Sequence, residues 1–157
     1  MHKTLLLLAL VLLTSCNTVK SSLAYTKGTQ CLEQGDYTNA IQYLEEAVKL
    51  DPDLARNHSN LAAAYGSVGE DQRAWQEIRL AVLSPYRDIA ALPNFCACYN
   101  ALIKNRLDQP GTDALEVMHL LGEPDLKIMG ESQMIWVYGL CHMHFENNKL
   151  VKCQLKL

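Results

Sequence analysis

The chain has 157 residues, 49% of them hydrophobic, and a formal net charge of −3. This length suits one domain or two very small ones. The basic residues are scattered rather than clustered, which argues against a nucleic-acid-binding protein. The chain starts with a short basic segment and an apolar run from Leu5 to Leu13. The run is half the length of the roughly 20 residues that span a bilayer, so residues 1–15 are predicted to be a signal peptide.

The signal peptide ends in Leu13-Thr14-Ser15-Cys16, which resembles the lipobox of bacterial lipoprotein precursors. The resemblance implies cleavage before Cys16, lipid on its thiol, and a short tether over residues 16–20. Asn17 stands where an aspartate would favour the inner membrane, so we expect the periplasmic face of the outer membrane. The alternative is a secretory signal that contains a cysteine by chance. The chain has six cysteines, and the sequence does not assign pairs to the other five.

Residues 21–107 are predicted to form helical hairpins, because two segments align at a period of 34 residues, Ser21–Leu54 and Ala55–Asp88. Gly35 matches Gly69 and Ala40 matches Ala74. The pattern resembles the tetratricopeptide repeat, in which small residues allow paired helices to touch. Since about three repeats are usually needed for stability, a capping helix is expected at 93–107, with Pro93 at its first position.

The tetratricopeptide resemblance implies a concave groove lined by the first helix of each repeat. Matched position by position, the groove residues are Tyr25, Thr29, Arg56, Asn60 and Ala63. Arg56 and Asn60 are four residues apart and share one helix face. Arg56 is suited to a carboxylate and Asn60 to a peptide backbone. The alternative is that these side chains are simply solvated.

The last part of the chain, 112–157, is predicted to be a helix followed by a three- or four-stranded antiparallel sheet, after a linker at 108–111. The fold class is therefore α+β. The two-residue turn Gly139-Leu140 pairs Tyr138 with Cys141. A three-residue loop before the last strand is expected to place Val151 opposite Phe145.

In that register Cys141 and Cys153 are diagonal neighbours on two adjacent strands. Directly opposed residues lie closer together than diagonal ones. The two thiols are therefore predicted to be too far apart for an easy disulfide bridge.

Several short motifs of this region resemble the SmpA/OmlA (BamE-like) family of small outer-membrane lipoproteins. They are Leu121-Gly122-Glu123-Pro124-Asp125, Trp136-Val137-Tyr138, and Phe145 with Asn148-Lys149-Leu150. The resemblance covers about 45 residues and implies a role beside the machinery that inserts β-barrel proteins.

Alternation along the strands places Ile135, Val137, His142 and His144 on the second face of the sheet. Exposed apolar residues there would be a contact surface for a partner. The alternative is that the repeat helices cover this face. Two histidines on one strand lack the further ligand that a metal site needs, so no metal is predicted.

No nucleophile elbow, phosphate loop or paired-carboxylate motif is found, so we expect no enzymatic activity, cofactor or small-molecule substrate. The sequence predicts a lipid-anchored, protein-binding adaptor in envelope assembly. The SmpA/OmlA resemblance implies that this process is the assembly of outer-membrane β-barrels. Two alternatives are a pilot-type lipoprotein of a secretin or pilus system and a structural protein of the envelope. A third alternative is an enzyme or metal carrier that uses His142, His144 and a cysteine.

Overall fold

In a computed structural model, the described residues form six α-helices followed by a four-stranded antiparallel sheet. The structure describes the backbone of residues 2–85, 91–100, 103 and 111–156, and the side chains of these ranges from residue 17 onward. The helices are α1 (His2–Glu33), α2 (Tyr37–Leu50), α3 (Ala55–Ser67), α4 (Asp71–Leu83), α5 (Ala91–Tyr99) and α6 (Ala114–Leu121). The strands are β1 (Leu126–Met129), β2 (Gln133–Tyr138), β3 (Cys141–Glu146) and β4 (Lys149–Leu155). This order confirms the predicted fold class.

The first four helices form two hairpins, α1 with α2 and α3 with α4, as the 34-residue period predicts. Gly35 and Gly69 lie just before the second helix of each hairpin with φ of 76° and 78°, a conformation that glycine adopts without strain. Gly28 lies so close to α2 that a Cβ atom there would stand 2.6 Å from Cγ of Leu44. The small residue therefore sets how closely α1 and α2 approach.

Asn57 joins the two hairpins from a fully buried position on α3. Its Nδ2 donates to the Ala47 carbonyl at 3.1 Å, to the Asp51 carbonyl at 3.2 Å and to Oγ of Ser21 at 3.1 Å. The last carbonyl groups of a helix have no partner within the helix. Asn57 thus satisfies the Asp51 carbonyl at the end of α2 and adds a hydrogen bond to the Ala47 carbonyl, which also accepts from the N–H of Asp51. Its bond to Ser21 fixes α3 beside α1.

Helix α5 closes the open end of the second hairpin, as predicted, but its bounds differ. It begins at Ala91, so Pro93 is its third residue and not its first. Both positions are in the first turn, where a missing N–H costs no helical hydrogen bond. Phe95 and Ile103 are fully buried. Most of the predicted linker at 108–111 lies outside the described residues; Gly111 alone is described.

The sheet has the order β1-β2-β3-β4, and the predicted pairing of β2 with β3 is confirmed, including Tyr138 opposite Cys141. The predicted register of β4 is wrong. Leu150, not Val151, lies opposite Phe145, and the connection is a two-residue turn in which Asn147 and Asn148 have φ of 49° and 64°. A β-bulge then shifts the register by one residue, which returns the rest of β4 to the expected pairing.

The bulge explains how a two-residue turn is compatible with the apolar pattern of β4. Leu150 is buried, Val151 is the extra residue and is 45% exposed, and Cys153 again lies opposite Met143. The prediction that the two strand thiols are far apart is also wrong, because Sγ of Cys141 lies 3.1 Å from Sγ of Cys153.

One continuous apolar core joins the repeats to the sheet. Trp75 of α4 and Phe95 of α5 are in the same buried cluster as Tyr138 and the inner residues of β3. The turn at Gly139 fits between these helices, so that a Cβ atom there would stand 3.0 Å from Val82 and 3.1 Å from Phe95.

A polar clasp at the edge of this core adds to the connection. Arg79 of α4 forms an ion pair with Asp125 and donates to the carbonyl of Glu123 at 3.0 Å. Asp125 in turn accepts from the backbone N–H of Gly139. These contacts therefore connect α4 to the residues just before β1 and to the residue just after β2.

Candidate functional site

Four of the five predicted groove residues lie together at the junction of α1 and α3. The Nδ2 atom of Asn60 donates to the hydroxyl of Tyr25 at 3.2 Å and to Oγ1 of Thr29 at 3.0 Å. The guanidinium carbon of Arg56 lies 4.9 Å from the centre of the Tyr25 ring. Cation–π contact orients the guanidinium, so the four side chains form one preorganised polar cluster.

Arg56 is the charged member of this cluster and is only half-exposed. Its Nε atom is buried and has no hydrogen-bond partner among the described residues. A buried N–H donor without a partner costs free energy. Arginine matches the geometry of a carboxylate with two parallel hydrogen bonds. The cluster therefore presents a partly exposed positive charge at the junction of α1 and α3.

Ala63, the fifth predicted residue, lies seven residues after Arg56 on α3, about two helical turns. It lines a separate pocket of about 310 Å³. The pocket is bounded by α3, the start of α4, and α5, and most of its lining residues have small side chains. The lining consists of Ala62, Ala63, Gly66, Ser67, Asp71, Ala74, Asn94, Ala97 and Cys98. Asn94 is held in place by hydrogen bonds from its Nδ2 to the carbonyl and the hydroxyl of Ser59. The sequence did not reveal this pocket, because it exists only where α5 packs on α3.

The pocket has an apolar character. Burial raises the pKa of the Cys98 thiol to about 11, and the negative charge of Asp71 adds to the rise. The thiol is therefore neutral at physiological pH and contributes an apolar surface. A small aliphatic side chain of a partner suits such a space.

The buried side chain of His58 links the groove helix α3 to α4 and to the loop before α3. Nδ1 of His58 lies 2.7 Å from the carboxylate of Glu77 on α4, and its Nε2 lies 2.7 Å from the carbonyl of Pro52. Burial lowers the pKa of His58, but the hydrogen bonds to Glu77 and Pro52 outweigh it, and the pKa is raised above its usual value. The charged imidazolium can satisfy both acceptors at once.

The predicted sheet-face residues also share one surface. Ile135 lies opposite His144, and Val137 lies opposite His142; all four are half-buried. The repeat helices pack on the other face of the sheet, with Trp136 and Tyr138 in the core. The alternative that these helices cover the second face is therefore wrong.

The second face has an apolar half and a basic half. On β1, Leu126 and Ile128 are 53% and 46% exposed. On β4, Lys152 lies opposite His144. Burial lowers the pKa of His144, and the positive charges of Lys152, His142 and Lys156 lower it further. Within the described parts of the chain, no three residues are placed to hold a metal ion.

The side chain of Cys16, the predicted lipidation site, lies outside the described residues. Within the ranges that are described, no helix has the length and the apolar character needed to cross a membrane.

Comparison with known proteins supports the tetratricopeptide assignment. Residues 28–69 match the family model described as "TPR repeat". The photosystem I assembly protein Ycf3 of Prochlorococcus marinus, in strains NATL1A and NATL2A, is 31% identical over 80 residues, which are 49% of this chain. The match covers 46% of each Ycf3 protein, so the chain spans about half the length of these relatives.

Two further similarities agree with this assignment. Tetratricopeptide repeat protein 16 of Macaca fascicularis is 37% identical over 57 residues, which are 36% of this chain and 6% of that protein. The solved structure of the Arabidopsis OM64 TPR domain superposes with a TM-score of 0.53 at 23% identity, over 67% of this chain and 83% of that one; at this identity the likeness shows the fold alone. Repeat arrays of this kind present concave binding surfaces, which supports a role in protein–protein interaction.

Proposed function

We propose that the protein is a lipid-anchored periplasmic adaptor whose repeat groove binds a segment of a partner protein during envelope assembly. The observation that carries the proposal is the cluster of Tyr25, Thr29, Arg56 and Asn60. Its members hold one another in place, and a buried donor of Arg56 has no partner among the described residues. Preorganised side chains lose little entropy when a ligand binds.

The spacing between the polar cluster and the pocket supports a proposal for the kind of segment that the groove would accept. Arg56 and the pocket residue Ala63 are seven residues apart on one helix, which is about 10 Å at 1.5 Å per residue. An extended peptide covers about 10 Å in three residues. The preferred segment therefore has a carboxylate, from an acidic residue or a chain terminus, about three positions from a small aliphatic residue.

The anchor fits the same scheme. If Cys16 is lipidated as the lipobox resemblance implies, it lies nine residues before Tyr25 on α1. In a helix this is about 14 Å, so the groove would work close to the membrane surface. We place that membrane as the outer one, with the protein on its periplasmic face, on the resemblance to SmpA/OmlA lipoproteins and the asparagine after Cys16.

The second face of the sheet is the proposed docking surface for an assembly complex, through Ile135, Val137, His142 and His144. Apolar patches framed by polar residues are typical of protein interfaces. The similarity to Ycf3, which is named as an assembly protein, supports a role in assembly. The SmpA/OmlA resemblance points to the machinery for outer-membrane β-barrels.

The lipid anchor is tested first by metabolic labelling with palmitate. We expect the wild-type chain to be labelled and to sediment with outer-membrane vesicles, whereas Cys16→Ala remains unlabelled and leaves the membrane fraction. Label in the Cys16→Ala variant, or a wild-type protein without label, would contradict lipidation at this residue. Sedimentation with the inner membrane would contradict the location only.

The groove is tested by a photo-crosslinking amino acid at Ala97, which lies in the exposed wall of the pocket. Captured partners are identified by mass spectrometry in cells with wild-type protein, with Arg56→Glu, and with Lys49→Glu as the control. Lys49 is exposed on α2, away from the groove, so its reversal changes the net charge equally. We expect capture to be lost only with Arg56→Glu.

The identity of the captured protein decides between the hypotheses. Components of barrel assembly would support the proposal in full. Secretin or pilus proteins would move the function to secretion. Equal capture by both charge-reversal variants, or no specific capture, would overturn the groove adaptor and favour a structural role in the envelope.

A further inference from the structure

Two cysteine side chains meet on the inner face of the sheet. Sγ of Cys141 on β3 lies 3.1 Å from Sγ of Cys153 on β4. Cys141 is fully buried and Cys153 is half-buried. The contact lies beside α5, since the hydroxyl of Tyr99 is 3.6 Å from Sγ of Cys153.

The contact is unexpected from the pairing alone. Cys141 lies opposite Leu155 and Cys153 opposite Met143, so the thiols are diagonal neighbours. Such neighbours are usually about 7–8 Å apart between their Cα atoms. The register shift between β3 and β4 lies close by, at His144 and Phe145, and a bulge increases the local twist of a strand pair. Because twist shortens one of the two diagonal distances between neighbouring strands, the two sulfur atoms lie in contact.

We propose that Cys141 and Cys153 form an oxidative cross-link site, in which exchange with a small disulfide such as oxidised glutathione joins β3 to β4. This goes beyond the adaptor function and does not depend on it. The half-buried Cys153 loses its proton, and its thiolate attacks one sulfur of the glutathione disulfide. A mixed disulfide forms, and one glutathione thiolate leaves and takes up the proton.

The second step completes the cross-link. Cys141 loses its proton, and its thiolate attacks Sγ of Cys153, which releases the second glutathione as a thiol. In total, two protein thiols are oxidised to one disulfide and one glutathione disulfide is reduced to two thiols. The hydroxyl of Tyr99 points to the sulfur that reacts first, where it can stabilise negative charge.

The other described cysteines do not offer the same geometry. Cys96 and Cys98 are two residues apart on α5, and residues at this spacing do not face each other on a helix. Cys31 is on α1 and packs against the apolar cluster formed by α2, α3 and α4, away from the sheet. The cross-link should therefore be specific to one pair, and it would fasten the last strand of the sheet to its neighbour.

The test uses the purified full-length chain, reduced and then exposed to oxidised glutathione. Remaining thiols are blocked with an alkylating agent, and disulfide-linked peptides are identified by mass spectrometry. We expect the Cys141–Cys153 link to be about tenfold more abundant than any other, because the fold holds these thiols at a high effective concentration. In urea this preference should disappear.

Two variants distinguish the effect of the proximity of the two thiols from the general reactivity of each thiol toward glutathione. Cys153→Ser should leave Cys141 without glutathione in the folded protein, because Cys141 is buried, and Cys31→Ser should leave the cross-link unchanged. The proposal is overturned if folded wild-type protein carries glutathione on Cys153 without closing the link. It is also overturned if the distribution of links is the same with and without urea.

Discussion

Trp75 gives the sharpest test of whether the repeats and the sheet form one cooperative unit. It is fully buried on α4, its ring centre is 5.3 Å from that of Phe95 on α5, and it is 6.5 Å from that of Tyr138 on β2. Three elements of the shared core therefore meet at one side chain. Trp75→Ala removes this contact from both parts of the protein.

The expected cost follows from the burial. A buried tryptophan removes about 150–250 Å² of surface from water, which at about 25 cal/mol per Å² corresponds to about 4–6 kcal/mol. Measured tryptophan-to-alanine changes in protein cores cost about 3–5 kcal/mol. With a urea slope of about 2 kcal/mol per M, the unfolding midpoint should fall by about 2 M.

The chain supplies its own assay, because it has only two tryptophans. In a Trp75 variant the remaining one, Trp136, lies in the sheet and packs on Phe145 with ring centres 4.7 Å apart. Its fluorescence then follows unfolding of the sheet, and far-ultraviolet circular dichroism follows unfolding of the helices. Trp75→Phe, which keeps an aromatic ring in place, provides the reference with the same single fluorophore.

We expect both signals to give the same midpoint in each variant, and both to shift together from Trp75→Phe to Trp75→Ala. Leu80→Ala, at a 51% exposed position on the same helix, should change stability by less than about 0.5 kcal/mol. A fluorescence transition that stays in place while the helical one moves would refute a shared cooperative core.

Three further predictions concern single contacts. Gly28→Ala should destabilise the protein by about 1–3 kcal/mol through overpacking against Leu44. Gly66 has open space around it, so Gly66→Ala should instead raise helix stability by about 0.5–1 kcal/mol. Thermal unfolding of the two variants compares these effects directly. The raised pKa of His58 contributes stability below its unfolded pKa and loses it as pH rises through the folded value. His58→Gln or Glu77→Gln should therefore flatten the fall in unfolding free energy as the pH rises above the ordinary histidine pKa of about 6.5. An unchanged slope would contradict this. Arg79→Ala should lower stability by about 1–3 kcal/mol, because Asp125 loses its half-buried ion-pair partner. Faster amide exchange in β1 should accompany this change.

The repeat part was predictable from sequence because its rules are local. Gly35 and Gly69 mark the turns, and the small residues at Gly28, Ala40 and Ala74 mark the close contacts between helices. The groove cluster followed, since Asn60 and Arg56 lie one turn apart on the same helix face. Their partners on α1 are also placed by the repeat period.

The features that sequence reasoning missed depend on contacts between elements. The sequence predicts a three-residue loop before β4, because a two-residue turn alone would put the apolar residues of β3 and β4 on opposite faces. A bulge at Val151 resolves the conflict, and no local sequence signal marks it. The contact of Cys141 with Cys153 depends on that geometry. The pocket near Ala63 was missed for a similar reason, since it appears only when α5 packs on α3.

Helix α5 explains how two repeats are enough and links the two proposed surfaces. A repeat array needs an additional helix to cover its last hairpin, and that helix in turn must bury its own outer face. Here Phe95 and Tyr99 pack against the sheet, so the sheet takes the place of further repeats. An adjacent side of α5 presents Asn94 and Cys98 to the pocket near Ala63. A ligand in that pocket therefore contacts the helix on which the sheet rests, and binding in the groove should slow amide exchange in β2 and β3 as well as in α5.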